Sequence, residues 1–213
     1  MEFATWEPVY ELVLADLGFD RAGDEAVRDR LAAWAEPFET DRLGLDGATV
    51  AVAAPGPSLS DELPSVDDAD RVVAASNAAD RLLETGRVPD LVVTDLDKTP
   101  ATAARLSEAG LPVAVHAHGD NRPALDRWLP DCNPANVLAT TQAAPVGPVA
   151  NFGGFTDGDR AAFLADALGA AALRYVGWDL DDPEVDPEKA EKLAWARRLC
   201  RWLAARRGET FDG

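Results

Sequence analysis

Leu91-Val92-Val93-Thr94-Asp95-Leu96-Asp97 is the stretch whose reading decides the fold. The apolar run Leu91-Val92-Val93 reads as a buried strand, because β-branched residues suit a pleated surface covered on both faces. It ends in two carboxylates, Asp95 and Asp97, one residue apart. In open α/β sheets, ligands bind outside the carboxyl ends of strands, so both acids fall where chemistry is expected. Two carboxylates this close repel each other unless a cation lies between them or one takes a proton. Oxygen-only ligands at a strand mouth suit Mg²⁺, which usually arrives with substrate phosphates. A solvated turn after a strand is the alternative, and this segment alone leaves both open.

Outward from this stretch, strand and helix patterns alternate. Strands are expected near 49–54, 71–75, 90–94, 111–116, 136–140 and 172–177. Helices are expected near 77–86, 99–109, 121–128, 157–168 and 187–207. The alternation implies an α/β fold with a mostly parallel, doubly wound sheet of about six strands. Before it, 4–17 and 24–36 carry helical spacing, with Asp24 as a plausible cap for the second. Residues 1–45 therefore read as a helical N-terminal extension packed on a main domain at 46–213. The five tryptophans outside the motifs are assigned to core packing. Pro and Gly cluster at 143–154, a stretch long enough to form a flexible cover over a site.

Composition narrows the function. No apolar stretch has the length of a membrane span, and no signal-peptide pattern opens the chain. Cys132 and Cys200 are too few for a disulfide framework and lack metal-ligand spacing, which fits a reducing cytoplasm. A net charge of −18 argues against nucleic acid as a partner. Only Lys98, Lys189 and Lys192 are lysine among 20 basic residues. That bias, with abundant Asp, Glu and Ala, fits a salt-rich cytoplasm in which screening removes self-repulsion.

Two further segments carry chemistry. His116-Ala-His118-Gly-Asp120-Asn121 ends a second apolar run, and alternation puts both histidines on one face. They are too few for a two-zinc hydrolase site and serve better as hydrogen-bond donors to charge on a phosphate. In Asn151-Phe-Gly-Gly154-Phe155-Thr156-Asp157, the glycines allow close backbone approach. Thr156 or Asp157 can cap the following helix, whose N-terminus is a ready anion site. Gly56-Pro57-Ser58 follows the first strand and is not a Walker loop, so on its own it reads as a strand-to-helix turn, with a phosphate contact through Ser58 or a backbone amide as the alternative. Lys189 and Lys192, at i and i+3, share a helix face and are candidate phosphate contacts, with routine helical ion pairs to Glu188 and Glu191 as the open alternative.

Taken together, PDLVVTDLD, HAHGDN, Thr141-Gln142, NFGGFTDGDRA and Gly177-Trp178-Asp179 resemble the archaeal 6-hydroxymethyl-7,8-dihydropterin pyrophosphokinases. The resemblance spans Val52 to the C-terminus. It implies a fold like that of thiamin pyrophosphokinase and a Mg²⁺-dependent transfer of diphosphate from ATP to the pterin. It further implies that Asp95, Asp97 and Asp120 hold Mg²⁺ while His116, His118 and Asn121 meet phosphate oxygens. Thr156 and amides near Gly154 would hold phosphate, with Gly56 and Ser58 nearby. Asn77, Gln142, Asn151 and Asp179 would read the pterin edge, and Phe152 or Phe155 would stack on it. A homo-oligomer is possible. Two positions depart from the family pattern: Ser76-Asn77 stands where Asp-Gly is common, and Lys98 where Gly often follows the acids. Three other readings stay open. Asp95-Leu-Asp97 also fits a nucleotide-sugar glycosyltransferase, zinc would make a hydrolase, and the Ser76-Asn77 departure allows a non-catalytic nucleotide-binding module.

Overall fold

The computed structural model describes residues 1–211. Its strands are β1 (Thr49–Ala53), β2 (Arg71–Ala75), β3 (Leu91–Thr94), β4 (Val113–Ala117), β5 (Val137–Thr141) and β6 (Ala172–Val176). They form one sheet in the order β5-β4-β3-β2-β1-β6. Every pairing is parallel, with Val52 opposite Val73 and Val93 opposite Ala114. The sheet is thus wholly parallel rather than mostly so.

Parallel strands need crossovers, and helices supply them on both faces. The helices are α1 (Phe3–Leu17), α2 (Arg21–Ala32), α3 (Leu63–Asp67), α4 (Ala78–Glu84), α5 (Pro100–Glu108), α6 (Arg122–Trp128), α7 (Asp157–Ala167) and α8 (Pro187–Arg207). Alternation splits the strand residues between two cores. Ala51, Ala74, Val92, Val113 and Val137 pack with Val27, Leu31, Leu82 and Leu125. Val50, Val73, Leu91, Ala114 and Leu138 pack with Trp6, Tyr10, Phe163 and Leu203. Each fully buried Val or Leu contributes about 1.5–3 kcal/mol, so the strands are fixed from both sides. The lead-in is divided between the layers, with α1 on one face and α2 on the other.

Three expectations change. Asp20, not Asp24, caps α2, accepting from the backbone of Ala22 and Gly23. Helix α3 escaped the sequence reading because five residues with a proline second show no periodicity. The segment 143–154 is no loose cover. Ala143 and Val149 are buried, Val146 and Val149 exchange backbone hydrogen bonds, and the Ala150 amide bonds to the Ala139 carbonyl.

In β1 to β5 the chain steps steadily across the sheet, then returns over one face so that β6 lies on the other side of β1. Helix α7 makes that return, touching β1, β2, β3 and β6. Strands β1 and β6 therefore flank a topological switch point, where open α/β sheets place ligands.

Candidate active site

The carboxyl ends of the central strands carry the two strained turns. Ser76 and Leu96 are the non-glycine residues with positive φ among those described, at 53° and 65°. Such backbone costs roughly 1–3 kcal/mol per residue and persists only where its surroundings enforce it. At Leu96 a fully buried side chain and a hydrogen bond from its amide to Thr94 Oγ1 (3.0 Å) enforce it. The turn folds the Asp97 amide back onto Asp95 Oδ1 at 3.1 Å, so both acids face one cleft.

Helix α7 delivers the third acid. Gly153 and Gly154 both have φ of 89°. A Cβ on Gly154 would stand 2.6 Å from the Arg160 backbone. Asp159 accepts the Thr156 amide at 2.9 Å and the Thr156 hydroxyl, closing a capping box that fixes the helix start. Asp157 then points at the two acids of the β3 turn. One oxygen from each of Asp95, Asp97 and Asp157 lies within 4.8 Å of the others. Gly154→Ala is expected to cost about 2–5 kcal/mol from strain plus overlap, which denaturant unfolding checks.

The electrostatics of this trio call for a cation. Burial alone would raise Asp95, but hydrogen bonds with His118 and Asp97 and the Arg160 charge hold it below the usual carboxylate range. Burial, then the Asp95 contact and charge, push Asp97 up. Burial and the Asp95 charge push Asp157 up to about 8. One acid is ionised while its neighbours are driven to hold protons. A divalent cation relieves that conflict, and three carboxylates are a hard, oxygen-only donor set that suits one.

A buried polar chain supports the trio from beneath. Arg160 is paired with Asp157 at 3.2 Å and donates to Gln142 Oε1 at 3.1 Å. Gln142 donates to Asp24 Oδ2 at 2.7 Å, and Asp24 also accepts from Tyr10 Oη (2.6 Å) and the Gly119 amide (2.7 Å). Asp24 thus ties α1, α2, the loop after β4 and the end of β5 into one frame. Sequence reasoning missed Arg160 and Asp24. Arg160 had one legible signal, since a cation in the first turn of a helix opposes the macrodipole unless acids face it.

The expected residues divide between the cleft and its frame. Asp95, Asp97, His118, Asp120, Asn77, Gln142, Phe155, Thr156, Asp157, Lys189 and Lys192 line the cleft. Asp120 does so outside the acidic trio, whose third member is Asp157. His118 sits beyond the end of β4, with Nε2 3.3 Å from Asp95 Oδ2. His116 lies beneath it, fully buried against Thr140 Oγ1 at 3.1 Å, and burial drives its pKa well below the ordinary value. Asn121 clamps the loop, donating to the carbonyls of Asp95 (2.9 Å) and His116 (2.6 Å). Asn151 closes its own turn onto Ala143 and Gly153. Ser58 donates through both amide and hydroxyl to Asp179 Oδ2 at 2.9 and 2.8 Å, and a Cβ on Gly56 would collide with that carboxylate. Phe152 packs against the core, while Phe155 meets Phe19 at a 6.0 Å ring separation.

The cleft holds about 740 Å³. Acids and the ends of β1 to β4 line it together with Phe19, Phe155, Trp178, Leu180 and Leu193. Eight carboxylates face four cationic side chains, so an anionic ligand enters favourably only with added cations. No helix among the described residues is long and apolar enough to cross a membrane.

Comparison with known proteins identifies the family. Over 95% of the chain, 6-hydroxymethyl-7,8-dihydropterin pyrophosphokinases are 39% identical in Methanothermobacter thermautotrophicus and 36% in Pyrococcus furiosus, with 95% and 94% of each relative covered. The protein of that name from Methanocaldococcus jannaschii is 29% identical, over 95% of this chain and 96% of its own. The profile of the family described as 6-hydroxymethylpterin diphosphokinase MptE-like matches residues 31–185, which contain every member of the acidic trio. With the match covering most of its length, the chain belongs to the MptE-like 6-hydroxymethylpterin diphosphokinase family.

Proposed function

We propose that this chain transfers diphosphate from ATP to 6-hydroxymethyl-7,8-dihydropterin, giving AMP and the pterin diphosphate. The hydroxymethyl oxygen forms a bond to the β-phosphorus, and the bond from that phosphorus to the α-bridging oxygen breaks. The hydroxyl proton is released and AMP leaves. The observation that carries the reading is the acidic trio at the N-terminus of α7, inside a cleft that aromatic rings also line. Asp95, Asp97 and Asp157 would hold Mg²⁺, which when bound neutralises charge on the phosphates.

The protein's own residues position the reaction. His118 orients Asp95, Arg160 balances Asp157, and the amides at the start of α7 present donors to an anion. Phe19 and Phe155, tilted rings 6.0 Å apart on the cleft lining, give a substrate ring an apolar neighbour. The product is suited to building a carbon carrier of folate or methanopterin type. Incubation with ATP, Mg²⁺ and the reduced pterin, followed by nucleotide separation, tests the proposal. AMP is expected; ADP, or release of UDP from a nucleotide sugar instead, would contradict it.

The setting we infer is a reducing, salt-rich cytoplasm, supported by two buried free thiols and the −18 charge. The melting temperature is expected to rise with KCl, because the Debye length falls from about 10 Å at 0.1 M to about 3 Å at 1 M. Circular dichroism melts across KCl concentration check this, and a flat or falling trend would refute it.

A further inference from the structure

Lys98, Lys189 and Lys192 are the only lysines among 20 basic residues, and all three line the cleft. Of the described arginines, only Arg160 joins them there, and it is buried in the frame. Elsewhere the chain uses arginine for fixed ion pairs. Arg21 gathers Glu7, Glu11 and Glu25, Arg87 holds Asp67, and Arg207 joins Asp166 and Glu209. Arginine's planar fork suits a fixed bidentate partner, whereas lysine carries a compact charge on a flexible stem. A chain that otherwise excludes lysine has kept it on the walls of one cleft.

The three come from two separate elements. Lys98 lies in the β3–α5 loop, 3.5 Å from Asp97 and well exposed. Lys189 and Lys192 occupy the first two turns of α8 on one face. The Lys192 ammonium is 2.6 Å from Glu188 and 5.8 Å from the Phe19 ring. Lys189 has no carboxylate partner among the described residues. A cation held by the trio leaves the outer oxygens of a polyphosphate unmet, and these ammonium groups flank the same space.

We propose that Lys98, Lys189 and Lys192 form one polyphosphate-binding set that grips a phosphate chain between the β3–α5 loop and the start of α8, and that this grip requires lysine rather than positive charge alone. The set deepens the diphosphate-transfer reading and rests on it for the identity of the nucleotide. Amine-selective acetylation read by mass spectrometry is a direct test, because these are the chain's only side-chain amines. The α-amine serves as internal reference. Labelling is compared for free protein, protein with Mg²⁺ and ATP, with Mg²⁺ and inorganic tripolyphosphate, and with adenosine.

All three lysines are expected to be protected by ATP and by tripolyphosphate, and by adenosine not at all. Unchanged labelling while ATP binds or is consumed would overturn the set and leave the transferase reading standing. Protection without AMP formation would support the set and count against the transferase reading. Lys98→Arg and Lys189→Arg change exposed side chains and Lys192→Arg a half-buried one whose Glu188 pair arginine can keep, so the melting temperature should hold. Each is expected to weaken tripolyphosphate binding by about tenfold. Wild-type affinity in all three would overturn the requirement for lysine.

Discussion

Asp95→Asn, Asp97→Asn and Asp157→Asn are each expected to lower AMP formation by more than about 10²-fold, the scale on which losing one preorganised electrostatic contact acts. Stability should divide the three. Without a cation, Asp97 and Asp157 are the acids pushed up by burial and by Asp95, so Asp97→Asn and Asp157→Asn leave the melting temperature unchanged or higher. Asp95 is held ionised by its His118 and Asp97 contacts, so Asp95→Asn should give up some stability. Asp157 shows this most clearly. Burial already drives its carboxyl toward the protonated form, and asparagine imitates that form in size and polarity. Asp24→Asn should behave oppositely. Asp24 is buried and accepts from Tyr10, Gln142 and Gly119, and a hydrogen bond to a buried charge is worth about 1.5–3 kcal/mol. Loss of stability in the trio variants, with activity kept, would make those acids structural.

The second large effect is a link between pH and cation binding. In the metal-free protein, burial and then the charge of Asp95 raise Asp157 from its ordinary 3.8 to about 8, against the pull of Arg160. A group raised in the folded state favours folding below its ordinary value and loses that contribution as pH climbs through the raised one. The metal-free protein should therefore lose stability from this group as pH rises between about 4 and about 8. A bound cation requires the ionised acid and displaces the proton. Cation affinity should consequently rise by up to about tenfold per pH unit below about 8 and level off above it. Titration calorimetry at neutral pH in buffers of different ionisation enthalpy should record close to one proton released per cation. The release should disappear in Asp157→Asn. Affinity that is flat with pH in the wild type would contradict the assignment.

The layered architecture was open to reading because strand ends are written locally. Runs such as Leu91-Val92-Val93 and the acids after them mark where β3 stops, and the strand ranges agree within two residues at each end. Pairings across long separations had no such signal. Asp24 lies 14 residues from Tyr10 and 118 from Gln142, so it read as a surface cap. Asp157 followed a threonine at a helix start and read as a cap at a substrate-binding helix end, not as a metal-holding acid, although it stands with Asp95 and Asp97 in the trio. Asp120 entered the metal set through the family resemblance, and it lines the same cleft outside the trio. The positive φ of Leu96, which aims both acids of β3 into the cleft, is invisible in a residue type with no preference for it. Lysine scarcity was plain, but that all three lysines share one cleft follows only from the fold.

The measurement that tests the central claim most directly is a single-turnover reaction with 6-hydroxymethyl-7,8-dihydropterin carrying ¹⁸O in its hydroxymethyl group, analysed by mass spectrometry. Attack by that oxygen on the β-phosphorus of ATP should give unlabelled AMP and a pterin diphosphate that retains the ¹⁸O in its bridging position. Formation of ADP with a pterin monophosphate, or a pterin diphosphate lacking the label, would contradict it.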